Sequence, residues 1–135
     1  MTIQLAYVAG PYRSPLGAHG VQKNIEVARA VAAELWEFGH VAVCPHMNTA
    51  HFDGLVPDQR FLDGSLELMR RCDLVVLTPR WRLSRGTREE IVEALMLSIP
   101  IFEWPNLEQP LGREFFNLEP PESAWPWISA ARASR

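Results

Sequence analysis

At 135 residues, with 47% hydrophobic and 21% charged side chains, the composition is that of one ordinary globular domain, which excludes disordered and collagen-like classes. The net charge of −3 argues against binding a nucleic-acid polymer, which takes a basic face. The apolar runs are too short to span a bilayer and no signal-peptide pattern follows Met1, so a cytoplasmic protein without membrane contact is expected.

Ile3 to Ala9 reads as a buried strand, ending in Gly10-Pro11-Tyr12-Arg13 and a loop to about Gly20. A long amphipathic helix is predicted from Val21 to Phe38, with Val27, Ala28, Val31, Leu35 and Phe38 on the apolar face and Gly39 as its stop. Val41 to Cys44 gives a second strand closed by Pro45. A polar loop carrying His46, Asn48, His51 and Asp53 then leads to a helix from about Asp58 to Arg71. Cys72 to Thr78 lacks alternation and is rich in branched apolar residues, as in a strand buried on both faces. A helix over Arg88 to Ser98 and a last strand over Pro100 to Trp104 follow. Cys44 and Cys72 border strands and read as small hydrophobes, so no disulfide is expected. The spacing of Cys44, His46, His51 and Asp53 matches no common zinc pattern, and neither metal nor cofactor is expected.

Strand and helix alternate, which predicts a doubly wound parallel sheet flanked by helices, with ligands beyond the carboxyl ends of the strands. The loops at those ends hold Gly10 to Arg13, His46 to Asp53 and Trp81 to Glu90. A single domain over 1–135 is expected, with 105–135 a proline-rich extension that wraps it or meets another subunit through Trp125 and Trp127.

Glu90 stands where the third strand has ended, an arginine-rich loop turns on Ser84-Arg85-Gly86-Thr87, and a helix begins. At about 100° per residue, Glu89 and Glu93 fall on the polar side and Glu90 lies beside Ala94, at the edge of the packing face. Thr87-Arg88-Glu89-Glu90 also fits a capping box, and on this stretch alone the cap is the favoured reading. In either role, proximity to the helix N-terminus is expected to keep the carboxylate ionised. Arg80, Arg82, Arg85 and Arg88 crowd the same loop, where one or two would suffice to hold a phosphate. Taken alone, Tyr7 reads as a half-buried aromatic and His46 as a hydrogen-bonded loop residue.

Together, Tyr7-Val8-Ala9-Gly10-Pro11-Tyr12, Pro45-His46, Cys72-Asp73, and Trp81 followed by Ser84, Gly86 and Glu90 resemble the nucleoside 2-deoxyribosyltransferase-like superfamily, which includes nucleoside 5′-monophosphate N-glycosidases. The resemblance spans about Ile3 to Trp104. It implies a flavodoxin-like fold, homo-oligomerisation, and hydrolysis or deoxyribosyl transfer at the bond between a sugar C1′ and a nucleobase. Glu90 would attack C1′ and Tyr7 would hold that carboxylate. Gly10, Pro11, Tyr12, Arg13, His46 and Trp81 would touch substrate, while Ser84, Gly86 and Thr87 would meet a 5′-phosphate. Ser65 stands where members of that superfamily commonly carry an aspartate that contacts ribose or assists the base. Asp63 would point inward only if the helix began there.

Two other readings share these residues. Gly86-Thr87-Arg88-Glu89-Glu90 partly echoes the Gly-Gly-x-Gly-Thr-x-x-Glu signature of lysine-decarboxylase-like phosphoribohydrolases, without its leading glycine pair. A non-catalytic nucleotide sensor would use the same crevice, and Ser65 keeps that alternative open. Hydrolysis of a 5′-monophosphate is the preferred version, on account of the arginines.

Overall fold

A computed structural model describes residues 2–116. The elements alternate as expected: β1 (Leu5–Ala9), α1 (Ala18–Glu37), β2 (Val41–Val43), α2 (Pro45–Asn48), α3 (Asp58–Arg70), β3 (Leu74–Leu77), α4 (Arg85–Met96) and β4 (Ile101–Glu103). All strand pairs are parallel, in the order β2-β1-β3-β4. This is the flavodoxin-like order, in which the chain reverses direction across the sheet between β1 and β3.

Side chains of a strand alternate between faces, and in β1 this parity decides the site. Ala6 and Val8 pack with Ala28, Val31, Ala32 and Leu35 of α1. Tyr7 and Ala9 point the other way, into a core with Leu66 and Met69 of α3 and Ile91 and Ala94 of α4. At the opposite end of the sheet from the crevice, Asp73 fixes the start of β1, accepting a hydrogen bond from the Leu5 N–H (2.7 Å) while its own N–H donates to the Leu5 carbonyl (2.8 Å).

Several boundaries move. The buried face of α1 runs through Gly20, Val21, Ile25, Ala28, Val31, Ala32 and Leu35, whereas Val27 and Phe38 are exposed. The loop after β2 contains a helical turn, α2, with Pro45 in its first turn, where the missing N–H costs nothing. Helix α4 starts at Arg85, earlier than its periodicity suggests, because Ser84 and not Thr87 is its cap: the Ser84 hydroxyl accepts from the Thr87 N–H at 3.1 Å. The capping box from Thr87 to Glu90 therefore does not form. The chain after β4 folds back, with the Leu111 N–H donating to the Ile101 carbonyl (2.7 Å). Trp125 and Trp127 lie outside the described residues.

Gly10 follows β1 where β3 ends alongside it. A Cβ there would come within 1.8 Å of the buried Thr78 Oγ1. Gly10→Ala is expected to cost about 1–3 kcal/mol through this overlap, read as a lower urea midpoint at unchanged slope.

Candidate active site

The carboxyl ends of the strands open into a crevice of about 540 Å3. Each wall comes from a different element. The loop after β1 supplies Gly10, Tyr12 and Arg13, and α2 with its flanking loop supplies Pro45, His46 and Asp53. The first half of α3 supplies Asp58, Leu62 and Ser65, while the start of α4 supplies Ser84, Arg85, Gly86, Thr87, Glu89 and Glu90.

At the floor, the Tyr7 hydroxyl donates to Glu90 Oε2. Tyr7 is 0% and Glu90 6% exposed. Burial pushes the Glu90 carboxyl up to about 7, and the hydrogen bond from Tyr7 opposes part of that rise. Glu90 lies beyond the first turn of α4, and desolvation outweighs the helix N-terminus, so the carboxyl ionises less readily than its place near that terminus led the sequence reading to expect. Burial, and then the neighbouring carboxylate, hold the Tyr7 phenol well above its ordinary range, so Tyr7 stays a proton donor to Glu90.

His46 is buried, with Nε2 2.7 Å from the Pro11 carbonyl oxygen and its ring edge-on to Tyr12. Burial lowers its pKa, with the Pro11 and Gly10 carbonyls opposing, so the imidazole acts as a neutral brace between two loops. Pro11 contributes its carbonyl to this brace and does not line the crevice. Tyr12 donates to Asp53 (2.9 Å) and accepts from the His51 N–H (3.0 Å). Arg13 bridges Asp53 (3.1 Å) and Asp58 (2.5 Å) across the mouth. Sequence reasoning left Asp53 and Asp58 out of the site. The only signal was positional: Asp53 lies in a loop at the carboxyl end of a strand, and Asp58 opens the helix that follows it.

The structure places four further groups of residues singled out in the sequence. Trp81 lies outside the crevice: its indole N–H donates to Glu103 (2.6 Å) and its ring packs on Phe115 and Phe116, with Arg82 stacked over it at 4.3 Å. Of Arg80, Arg82, Arg85 and Arg88, only Arg85 lines the crevice, and Arg88 donates to the Arg82 carbonyl (2.7 Å). Glu89, assigned to the polar side, is 5% exposed and lines the crevice beside Glu90. Asp63 stays exposed within α3, accepting from Gln59 (2.9 Å), so it neither caps the helix nor turns inward.

Around the start of α4, the Gly86 N–H has no acceptor within the helix, as in any first turn. Thr87 Oγ1 is buried without a hydrogen-bond partner among the described residues. Buried hydroxyls are normally satisfied, which makes this position suited to a polar ligand atom.

A family described as "Domain of unknown function (DUF7768)" matches residues 4–104, a span that contains all four strands. No curated protein matches the chain. Among solved structures, the chain is similar to a 2-deoxyribosyltransferase from the psychrotolerant bacterium Bacillus psychrosaccharolyticus, with 18% identity over 73% of this chain and 70% of that one, at a TM-score of 0.49.

Proposed function

The chain belongs to the family described as Domain of unknown function (DUF7768), a description that names no reaction, and we propose from the site itself that it cleaves the N-glycosidic bond of a nucleoside or nucleoside 5′-monophosphate. The observation that carries this reading is the buried pair of Tyr7 and Glu90 at the floor of the crevice. The motif resemblance of Tyr7, Gly10, Ser84, Gly86 and Glu90 supports it independently.

In the reaction, an ionised Glu90 oxygen attacks C1′ as the bond from C1′ to the base nitrogen breaks, and the base leaves with that electron pair and gains a proton. Water, or a second base, then attacks C1′ and releases Glu90. The transition state carries positive charge on the sugar, which a carboxylate in a poorly solvated site stabilises more strongly than one in water. Tyr7, by donating to one carboxylate oxygen, fixes its plane and leaves the other oxygen for attack. A volume of about 540 Å3 suits a nucleoside-sized ligand. In this reading Thr87 Oγ1, the Gly86 N–H and Arg85 meet the 5′ end of the substrate, and Tyr12, Arg13 and His46 shape the wall around the rest.

The test is incubation with a panel of nucleosides and their 5′-monophosphates, followed by chromatography for free base. Release from at least one compound is expected. Binding without release from any of them would overturn the reading in favour of a sensor.

A further inference from the structure

We propose that Glu103 is a positioning residue: by holding the Trp81 indole, it sets the place of the turn that carries Leu83, Ser84, Arg85 and Gly86 along the crevice wall. The anchoring does not depend on any reaction, whereas its consequence for turnover rests on the function proposed above.

Between Thr78, just past β3, and Thr87 in the first turn of α4, Trp81 is the one buried residue. The chain reaches it through Arg80, which takes the left-handed conformation (φ 66°) that residues other than glycine adopt only where their surroundings impose it. From Trp81 onward the turn and the helix form one hydrogen-bonded unit. The Ser84 N–H donates to the Trp81 carbonyl (3.0 Å), the Ser84 hydroxyl caps α4, and the Arg88 guanidinium reaches back to the Arg82 carbonyl. A shift of the indole therefore carries the start of α4 with it, since no other side chain between Thr78 and Thr87 is buried to resist.

The seat of the indole is built from β4 and beyond. Glu103 ends β4 alongside Leu77, and its carboxylate accepts the indole N–H at 2.6 Å. Phe116 meets the ring edge-on at 5.7 Å, and the segment carrying it is pinned to β4 by the bond from Leu111 to Ile101. Packing alone would hold the ring yet let it slide, whereas one N–H aimed at a fixed acceptor sets its direction. The acceptor is charged, which makes this bond stronger than one between neutral groups. Arg82 Nη1 also approaches Glu103, at 3.6 Å, but those two side chains are 64% and 38% exposed and their attraction is screened by water. The indole bond, not the ion pair, carries the anchoring.

The experiment measures amide hydrogen exchange by NMR in the full-length protein. Glu103→Leu should speed exchange at Ser84 and Thr87 by about tenfold or more, as for the loss of one charge-assisted bond, and leave Val92 to Leu95 in the same helix unchanged. Glu103→Gln, which keeps an acceptor for the indole but no charge for Arg82, should restore most of the protection. Trp81→Phe, which keeps a ring but no N–H, should act like Glu103→Leu, and combining the two should add nothing further. Equal acceleration along all of α4, no acceleration at Ser84 and Thr87, or a failure of Gln to rescue would overturn the proposal. So would a wild type in which the Ser84 and Thr87 amides are already unprotected. With any substrate that releases base, Glu103→Leu should raise KM and leave kcat within about twofold, because Tyr7 holds Glu90 at the floor. The reverse split would contradict a role at the wall. A protein that releases no base would sink the glycosidase reading and leave the exchange result standing.

Discussion

Glu90→Gln is expected to lower base release by at least about 10³-fold and yet to stabilise the protein at pH 8, because the group it removes is both nucleophile and buried charge. The two effects have one cause. Folding places the carboxyl where its ionised form is poorly solvated, lifting its pKa to about 7 from 4.5. Gln keeps the shape and still accepts from Tyr7, but carries no charge to desolvate. Helix capping is not at stake, since Ser84 caps α4. Base release measured by chromatography, with urea melts at pH 5.5 and 8, checks both halves. A variant that keeps most of its activity, or that is less stable than wild type at pH 8, contradicts this account.

The second large effect is an opposed pH dependence of activity and stability. If the ionised carboxylate attacks, kcat/KM should fall as pH drops through about 7, approaching tenfold per unit on the acid side and giving roughly 50-fold between pH 7 and 5. For stability, the folded pKa of about 7 lies above the unfolded value of 4.5, so the folded state keeps a proton that the unfolded state has lost in this window. The Glu90 contribution to stability is thus greatest below pH 4.5, declines as pH rises, and is fully lost above 7, a change of about 3 kcal/mol. His46 has the opposite sign. Its lowered pKa makes the unfolded state bind protons first as pH falls, so its contribution is lost on the acid side. Comparing wild type with Glu90→Gln at each pH cancels His46 and isolates the Glu90 slope. A pH-independent difference between the two proteins would contradict the assigned burial of Glu90.

The architecture was legible because unbroken apolar runs such as Leu74 to Leu77 separate strongly periodic helices, and a parallel sheet follows from that alternation. The crevice followed from topology, as loops at the carboxyl ends of parallel strands must converge. The errors lie where long-range packing decides. Ser84 and Thr87 are both acceptable caps, and the intervening Arg85-Gly86 looks like loop, so local sequence could not show that α4 gains its first turn there. Glu89 is buried because α4 begins inside the crevice, enclosed on more than one side, a circumstance that a helical wheel with a single apolar face does not represent. From its residue type Trp81 reads first as core or interface, and only the resemblance puts it against substrate, where it could stack on a base. What makes it core is the return of Phe115 and Phe116 from beyond β4, a contact with no local signature. The Arg13 bridge to Asp53 and Asp58 is equally invisible, and it engages a cation that the resemblance assigned to contact with substrate.

The most direct test of Glu90 as nucleophile is denaturing mass spectrometry of protein quenched during turnover of whichever substrate releases base, followed by peptide mapping. The account predicts a gain of one pentosyl group, or of one 5-phosphopentosyl group when the substrate is a monophosphate, on the peptide containing Glu90, lost on longer incubation and never formed in Glu90→Gln. Release of base with no adduct on that peptide, or with the sugar attached elsewhere, would contradict it.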